Sequence, residues 1–169
     1  MNEILKIPFV AFDNNWDDLQ LFLKHKGNPP YEITDDLDLR GSRIQSLGNL
    51  TSVGGDLNLY KSNIKSLGNL TSVGGYLDLY ESKIESLGNL TSVEGSLDLS
   101  ESKVESLGNL TSVGGSLGLS GTPIKSLGNL TLVRGNLDLR DTPLSKKYIK
   151  KYIKEEIESM VKVGGSVYL

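Results

Sequence analysis

Gly114-Gly-Ser116-Leu-Gly118 spells the Gly-x-Ser-x-Gly pattern in which a serine is held on a sharp turn as a nucleophile. Such a serine needs a histidine to take its proton, and the single histidine of the chain is His25, far away in sequence. The match also lies inside a repeated segment, so it follows from the repeat and not from a catalytic turn. A second pattern is a line of carboxylates at one spacing: Asp38, Asn58, Asp78, Asp98, Gly118 and Asp138. Carboxylates stacked about 5 Å apart repel one another and attract cations such as Ca²⁺. The repeat length does not suit a calcium-binding roll, which leaves a solvated polar face as the plainer reading. Asn-Leu-Thr, a glycosylation acceptor, recurs at Asn49, Asn69, Asn89, Asn109 and Asn129. The start of the chain lacks the features of a secretion signal, so these asparagines are expected to serve turns. No phosphate-cradling loop is present, and no enzyme activity, cofactor or metal site is expected.

What positions these residues is a 20-residue repeat. The segment Leu57-Asn-Leu-Tyr-Lys-Ser-Asn-Ile returns with small changes at Leu77, Leu97, Leu117 and Leu137, and already runs from Leu37. Leu77 and Leu79 flank a polar residue, which is the alternation of a strand with one buried face. Further apolar columns start at Ile44, Leu47, Leu50 and Val53. One such coil cannot bury its leucines alone, but stacked copies share a continuous core. Gly48-Asn49 and its equivalents suggest turns with a left-handed glycine, the asparagines stacking as an internal ladder. In the Gly-Gly pair the first member becomes Glu94 and Arg134, an exposed and ordinary position. The second, from Gly55 to Gly135, never varies, so it is the glycine that the backbone needs.

Leu77-Asp-Leu79-Tyr-Glu-Ser82-Lys-Ile84 resembles the leucine-rich repeat, with Ser82 where that family has asparagine and Gly74 where it has a leading leucine. It looks most like the short, regular repeats of bacterial and bacteriophage proteins. The resemblance implies a leucine-rich-repeat-like right-handed solenoid with a single parallel β-sheet of about seven rungs, used as an interaction module. A coil with two strands per turn, as in a β-helix, is the structural alternative.

Three parts of one continuous domain are expected. Residues 1-32 form an N-terminal cap: an extended stretch from Ile4 to Val10, then a helix capped by Asn14 or Asn15. That helix carries Trp16, Leu19, Phe22 and Leu23 on one face and ends at Gly27. Residues 33-144 hold six repeats, Ile33 opening the first. Residues 145-169 begin with a helix capped by Ser145, with Ile149, Ile153, Ile157 and Met160 at helical spacing. The chain then repeats the Val113-to-Leu119 pattern as Val163-Gly-Gly-Ser-Val-Tyr-Leu169, a final strand.

A net charge of -3 argues against general affinity for nucleic acid. The absence of cysteine rules out disulfides and thiolate metal sites and fits a reducing, cytoplasmic setting. No apolar run approaches the length of a membrane span.

Specificity must then reside in positions that vary. Beside the carboxylate column stand the pairs Asp36/Arg40, Asp56/Tyr60, Tyr76/Tyr80, Ser96/Ser100, Ser116/Ser120 and Asn136/Arg140. Tyr60, Tyr76 and Tyr80 are expected close together on one face, around Asn58 and Asp78 and with Arg40 nearby. They either bind a protein partner or cover neighbouring backbone. Lys61, Glu81 and Glu101 beside Arg43, Lys83 and Lys103 suggest cross-rung ion pairs that serve solubility. Acidic residues crowd the first cap (Asp13, Asp17, Asp18, Asp35, Asp36), and Lys146, Lys147, Lys150, Lys151 and Lys154 load the last helix. Opposite charge at the two ends suits end-to-end self-association. A protein-binding module is therefore expected, with a phage-encoded inhibitor of a host enzyme or defence complex and a self-assembling structural protein as alternatives.

Overall fold

A computed structural model describes the backbone of residues 4–146 and 150–169, and the side chains of all of these except 150–153. The chain coils as a parallel β-solenoid in which each rung contributes two short strands. In the rung around Tyr76 these are Ser72–Val73 and Leu77–Asp78, joined by a corner at Gly74 and Gly75. Stacking produces two sheets where the apolar pattern had suggested one. An eight-stranded sheet runs from Leu5–Ile7 to Lys162–Val163, and a seven-stranded sheet from Leu37–Asp38 to Val167–Tyr168. Val53 and its equivalents, which stand three residues after the preceding leucine and so show no strand alternation, build the additional sheet. The register advances by 20 residues per rung, as in Leu77↔Leu97 and Val73↔Val93, and by 30 in the last, Asp138↔Tyr168.

The leucine columns all point inward. Leu77, Leu79, Ile84, Leu87, Leu90 and Val93 are buried, as are their counterparts in the rungs above and below. Each such side chain contributes roughly 1.5–3 kcal/mol by leaving water. Two turns per rung are left-handed. Gly48, Gly68, Gly88, Gly108 and Gly128 lie at φ near 60°, as the Gly-Asn pattern implied. The second left-handed position holds Gly41, Lys61, Glu81, Glu101, Gly121 and Asp141, and only two of these are glycine.

At the corner, the invariant second glycine is required by close approach between rungs. A Cβ on Gly75 would stand 2.9 Å from the Asp56 backbone nitrogen. The first position is less ordinary than its substitutions suggested, because a Cβ on Gly114 would lie 2.0 Å from the carbonyl oxygen of Glu94. From Gly54 onward, side chains occur there at Glu94 and Arg134, each stacked between glycines.

Ladders of hydroxyls, not asparagines, line the turns. Thr71, Thr91, Thr111 and Thr131 each donate through Oγ1 to the threonine carbonyl one rung earlier, at 2.9–3.1 Å. The Asn-Leu-Thr asparagines are exposed, and their bonds are irregular: Asn49 to the carbonyl of Asn28, Asn69 to the Asn49 side chain, Asn129 to the carbonyl of Gly108. The serine column that replaces the family's asparagine makes no ladder either. Ser42, Ser62, Ser82 and Ser102 have a buried Oγ with no partner among the described residues, whereas Thr122 and Thr142 donate to Leu119 and Leu139 at 2.7 Å.

The N-terminal strand Leu5–Ile7 pairs with Tyr31–Ile33, and Ile33 in turn pairs with Val53. A 3₁₀ turn at Phe9–Phe12 follows, not an extended stretch, because the Asp35 carboxylate accepts from the backbone nitrogens of Phe9 and Val10. Helix α1 (Trp16–His25) is capped by Asn15, which accepts from Asp17 and Asp18, and it buries Leu19 and Leu23. Acidic residues in its first turn face the positive end of the helix dipole. Tyr31 ties this cap to the first rung: its buried hydroxyl donates to the carbonyl of Leu47 at 2.8 Å and accepts from Gln20 at 3.2 Å.

After the last full rung come α2 (Pro143–Lys146) and α3 (Lys150–Met160). Thr142, not Ser145, is the cap: its Oγ1 accepts from the Ser145 nitrogen at 3.0 Å, and Ser145 is buried within α2. Ile157 and Val161 are buried, but Met160 is exposed, because Val161 takes the inward position expected for it. Ile149 and Lys147 lie outside the described residues, as do the side chains of Ile153, Lys150 and Lys151. No helix among the described residues is long and apolar enough to cross a membrane.

Candidate functional site

The exposed side of the seven-stranded sheet is held by two side-chain ladders. The first is built from residues just before each strand. Asp36 accepts from the Asp56 nitrogen (2.8 Å) and Asp56 from Tyr76 (2.7 Å), each across one rung. Further along, Ser96 accepts from Ser116 (3.0 Å), Ser116 from Asn136 (3.0 Å) and Asn136 from Ser166 (2.8 Å). An oxygen near the backbone is what the position requires. Tyr76 cannot supply one, so the Ser96 N–H has no acceptor among the described residues.

The second ladder is the carboxylate column, which works within each rung. Asp38, Asn58, Asp78, Asp98 and Asp138 accept through Oδ1 from the backbone nitrogen two residues on, at 2.9–3.2 Å. This Asx turn leads the chain into the left-handed residue that follows. The column thus has a backbone role that its spacing alone did not reveal. Gly118 is the exception: it has no side chain, and the Ser120 N–H is left without an acceptor among the described residues.

Both exceptions border one groove of about 510 Å³. Ser96, Ser100, Ser116 and Gly118 make its floor, Tyr76 closes one end, and Arg140 with Tyr168 closes the other. A methyl on Gly118 would stand 2.8 Å from Asp98 Oδ1 and 3.0 Å from Ser100 Oγ, so the missing side chain is a notch beside that carboxylate. Burial pushes the Tyr76 hydroxyl up to about 12, helped by the negative charges of Asp78 and Asp98.

Charge along the column is uneven. At each end a carboxylate is bound by the arginine of its own rung, Asp38 by Arg40 and Asp138 by Arg140. The hydrogen bond from that arginine holds each of these carboxyls below the usual range. Asp78 and Asp98 sit side by side in register with no such partner, and their rungs carry Tyr80 and Ser100 instead. Burial, reinforced by Asp98, raises the Asp78 carboxyl above its ordinary value.

The three tyrosines expected as one cluster are divided by this column. Tyr60 and Tyr80 follow it and stack on each other, with ring centroids 5.8 Å apart and planes 7° from parallel. Lys61 lies 5.0 Å above the Tyr60 ring and pairs with Glu81 at 3.3 Å. Tyr76 precedes the column and faces the groove. Asn58 caps the Tyr60 nitrogen, and Arg40 is engaged by Asp38. Ion pairs between rungs form within columns, as Lys61–Glu81, Lys65–Glu85 and Lys125–Glu105, and among the described residues none involves Arg43, Lys83 or Lys103.

Ser116 spends its hydroxyl on the first ladder, and His25, in α1, places Nδ1 2.8 Å from the carbonyl of Leu21. Among the described residues no group of three or more histidine, aspartate or glutamate side chains converges on a point where a metal ion could sit. Of the groove residues only Tyr76 was a candidate from sequence; Tyr168 and Gly118 are two that sequence reasoning passed over. The signal was available, since each interrupts a column that is otherwise polar or acidic. No protein-family model, curated protein or solved structure matches this chain.

Proposed function

We propose that the chain is a non-catalytic protein-binding module, and that it reads its partner with the groove side of the seven-stranded sheet. One observation carries the reading. At Tyr76 and Gly118 the face gives up a backbone hydrogen bond that its other rungs keep, and both positions border the same groove. A half-buried backbone N–H left without an acceptor lowers stability, so side chains that cause this twice beside one groove are better explained by binding than by folding. The stacked pair Tyr60 and Tyr80, with Asn58 and Asp78, extends the surface beyond Tyr76; Arg40 contributes at its margin. Aromatic side chains at the edge of a concave surface are typical anchors for a partner.

The test is Tyr76→Ser, which installs the residue that the ladder uses at Ser96 and Ser116. The variant is expected to melt no lower than wild type, because the Ser96 N–H regains an acceptor, yet to lose partner capture from a lysate of the source organism. Equal capture by both proteins would remove the groove from the function. The resemblance to short bacterial and bacteriophage repeats supports, at finer grain, a cytoplasmic inhibitor of a host enzyme or defence complex. A second reading, self-association, draws on the last rung, where Val163, Val167 and Leu169 are only partly covered although their equivalents in inner rungs are buried. Light scattering over a concentration series separates the two, since a strict monomer removes the second.

A further inference from the structure

The occupant of the groove can be narrowed by charge. Within the groove, Arg140 answers Asp138, and among the described residues no cation pairs with Asp98. Asp78 lies against Asp98 on the next strand, about 4.8 Å away, and the cation that acts on it, Arg40, is paired with Asp38. Two adjacent carboxylates on a partly buried face repel one another, and the raised Asp78 carboxyl is a sign of that environment. Tyr76 lines the same groove as Asp98, close enough for both carboxylates to act on its hydroxyl. A carboxylate next to an aromatic ring is a receptor for a guanidinium or ammonium group, which bonds the first and stacks on the second. The same setting repels an acidic ligand.

The two unused amides specify the rest. In the other rungs the N–H equivalent to that of Ser120 meets a side-chain oxygen of the carboxylate column, so at Gly118 it faces the notch. The Ser96 N–H similarly faces the place where an oxygen would stand were residue 76 not tyrosine. The Ser96 amide in the groove lining and the Ser120 amide at the Gly118 notch suit carbonyl oxygens of an extended peptide, while its basic side chain reaches Asp98. A volume of about 510 Å³ lies within the range of roughly 300–1,000 Å³ that encloses a ligand of small-molecule size, enough for the tip of a loop but not for a folded domain. Resting on the protein-binding reading above, we propose that the groove takes a polypeptide segment presenting an arginine or lysine, with its cation between Tyr76 and Asp98 and its backbone carbonyls on the Ser96 and Ser120 amides.

The probe is the acetylated and amidated peptide Gly-Gly-Arg-Gly-Gly, titrated into the intact ¹⁵N-labelled chain. Its citrulline and glutamate counterparts serve as the neutral and acidic arms. The arginine peptide is expected to shift the amide signals of Ser96, Gly118 and Ser120, with affinity about tenfold above that of the citrulline peptide, equivalent to about 1.4 kcal/mol. The difference should shrink as salt is raised. Asp98→Asn is expected to reduce binding of the arginine peptide to the citrulline level. Gly118→Asn fills the notch with a residue that Asn58 shows the column accepts, and is expected to abolish binding while the chain stays folded. Glu105→Gln, in a carboxylate paired with Lys125 and outside the groove, should bind like wild type. No shift at millimolar arginine peptide, an equal response to the citrulline or glutamate peptide, or an Asp98→Asn variant that binds like wild type would each overturn the proposal. If these arms fail while capture of a partner still depends on Tyr76, the basic ligand is wrong and the protein-binding module stands. If Tyr76→Ser leaves capture intact as well, both readings fall.

Discussion

Glu101 occupies a backbone conformation that glycine holds in the rungs at Gly41 and Gly121, with φ of 58°. For a residue with a Cβ this region costs about 1–2 kcal/mol, from crowding against the following carbonyl. Glu101→Gly removes that cost but adds freedom to the unfolded chain, worth about 0.4–1 kcal/mol in the other direction. The side chain makes no ion pair among the described residues that would be lost with it. The expected net is a gain of about 0.5–1 kcal/mol, and a chain of this length rises by roughly 2–4 °C per kcal/mol. Differential scanning calorimetry should therefore find the midpoint about 1–4 °C higher. The converse is Gly121→Ala. Here φ is 70°, and the new methyl would lie 2.4 Å from Glu101 Oε1, so a loss of about 1–2 kcal/mol is expected. Because part of that loss comes from the Glu101 carboxylate, Gly121→Ala should cost less in the Glu101→Gly background. The two substitutions thus couple, as neighbours do. A lower midpoint for Glu101→Gly, or an unchanged one for Gly121→Ala, would refute the assignment of strain to this column.

Tyr31→Phe is expected to lower stability by about 1–3 kcal/mol in urea unfolding, because the buried hydroxyl links α1 through Gln20 to the Leu47 carbonyl and nothing replaces it. Asp78→Asn keeps an acceptor for the Tyr80 nitrogen, as Asn58 does for Tyr60. A carboxyl raised in the folded state contributes stability below the ordinary aspartate range and loses it as pH rises through the folded value. The variant should accordingly have a higher urea midpoint than wild type at pH 7 and no advantage at pH 3. Asp138→Asn should show the reverse, since Arg140 lowers that carboxyl: less stable than wild type at pH 7, with the difference vanishing as pH falls through the lowered folded value.

The parts of the fold that were legible rest on chain-wide regularity. Leu37 to Leu137 and their companion columns recur without exception, so the solenoid, its 20-residue rung and the final strand at Val167–Tyr168 could be read directly. The second sheet could not, because the buried residues beside its strands, such as Leu70 and Val73, stand three apart and show no alternation. Nor could the left-handed turn at Lys61, Glu81 and Glu101, where side chains occupy a conformation that spacing alone assigns to glycine. The candidate site was half visible. Variation among the face positions drew attention to Tyr60, Tyr76 and Tyr80, but which column each belongs to decides whether it stacks on a neighbour or lines a groove. Ser120 and Ser96 were invisible as site residues, since what they offer is a backbone amide, and an amide becomes available only through the identity of a different residue.

The first ladder has a direction: an oxygen on one rung answers the amide of the next, toward the C-terminus. A duplicate of any rung but that of Tyr76 brings both an amide to be answered and an oxygen to answer with, so the joints on either side are chemically unchanged. Such a chain can lengthen or shorten by whole periods with little new design. Distance along the face then becomes a heritable quantity counted in rungs. Tyr76 and Gly118 are two strands apart, so removing a single repeat between them would close the groove by about 4.8 Å and leave the leucine columns continuous.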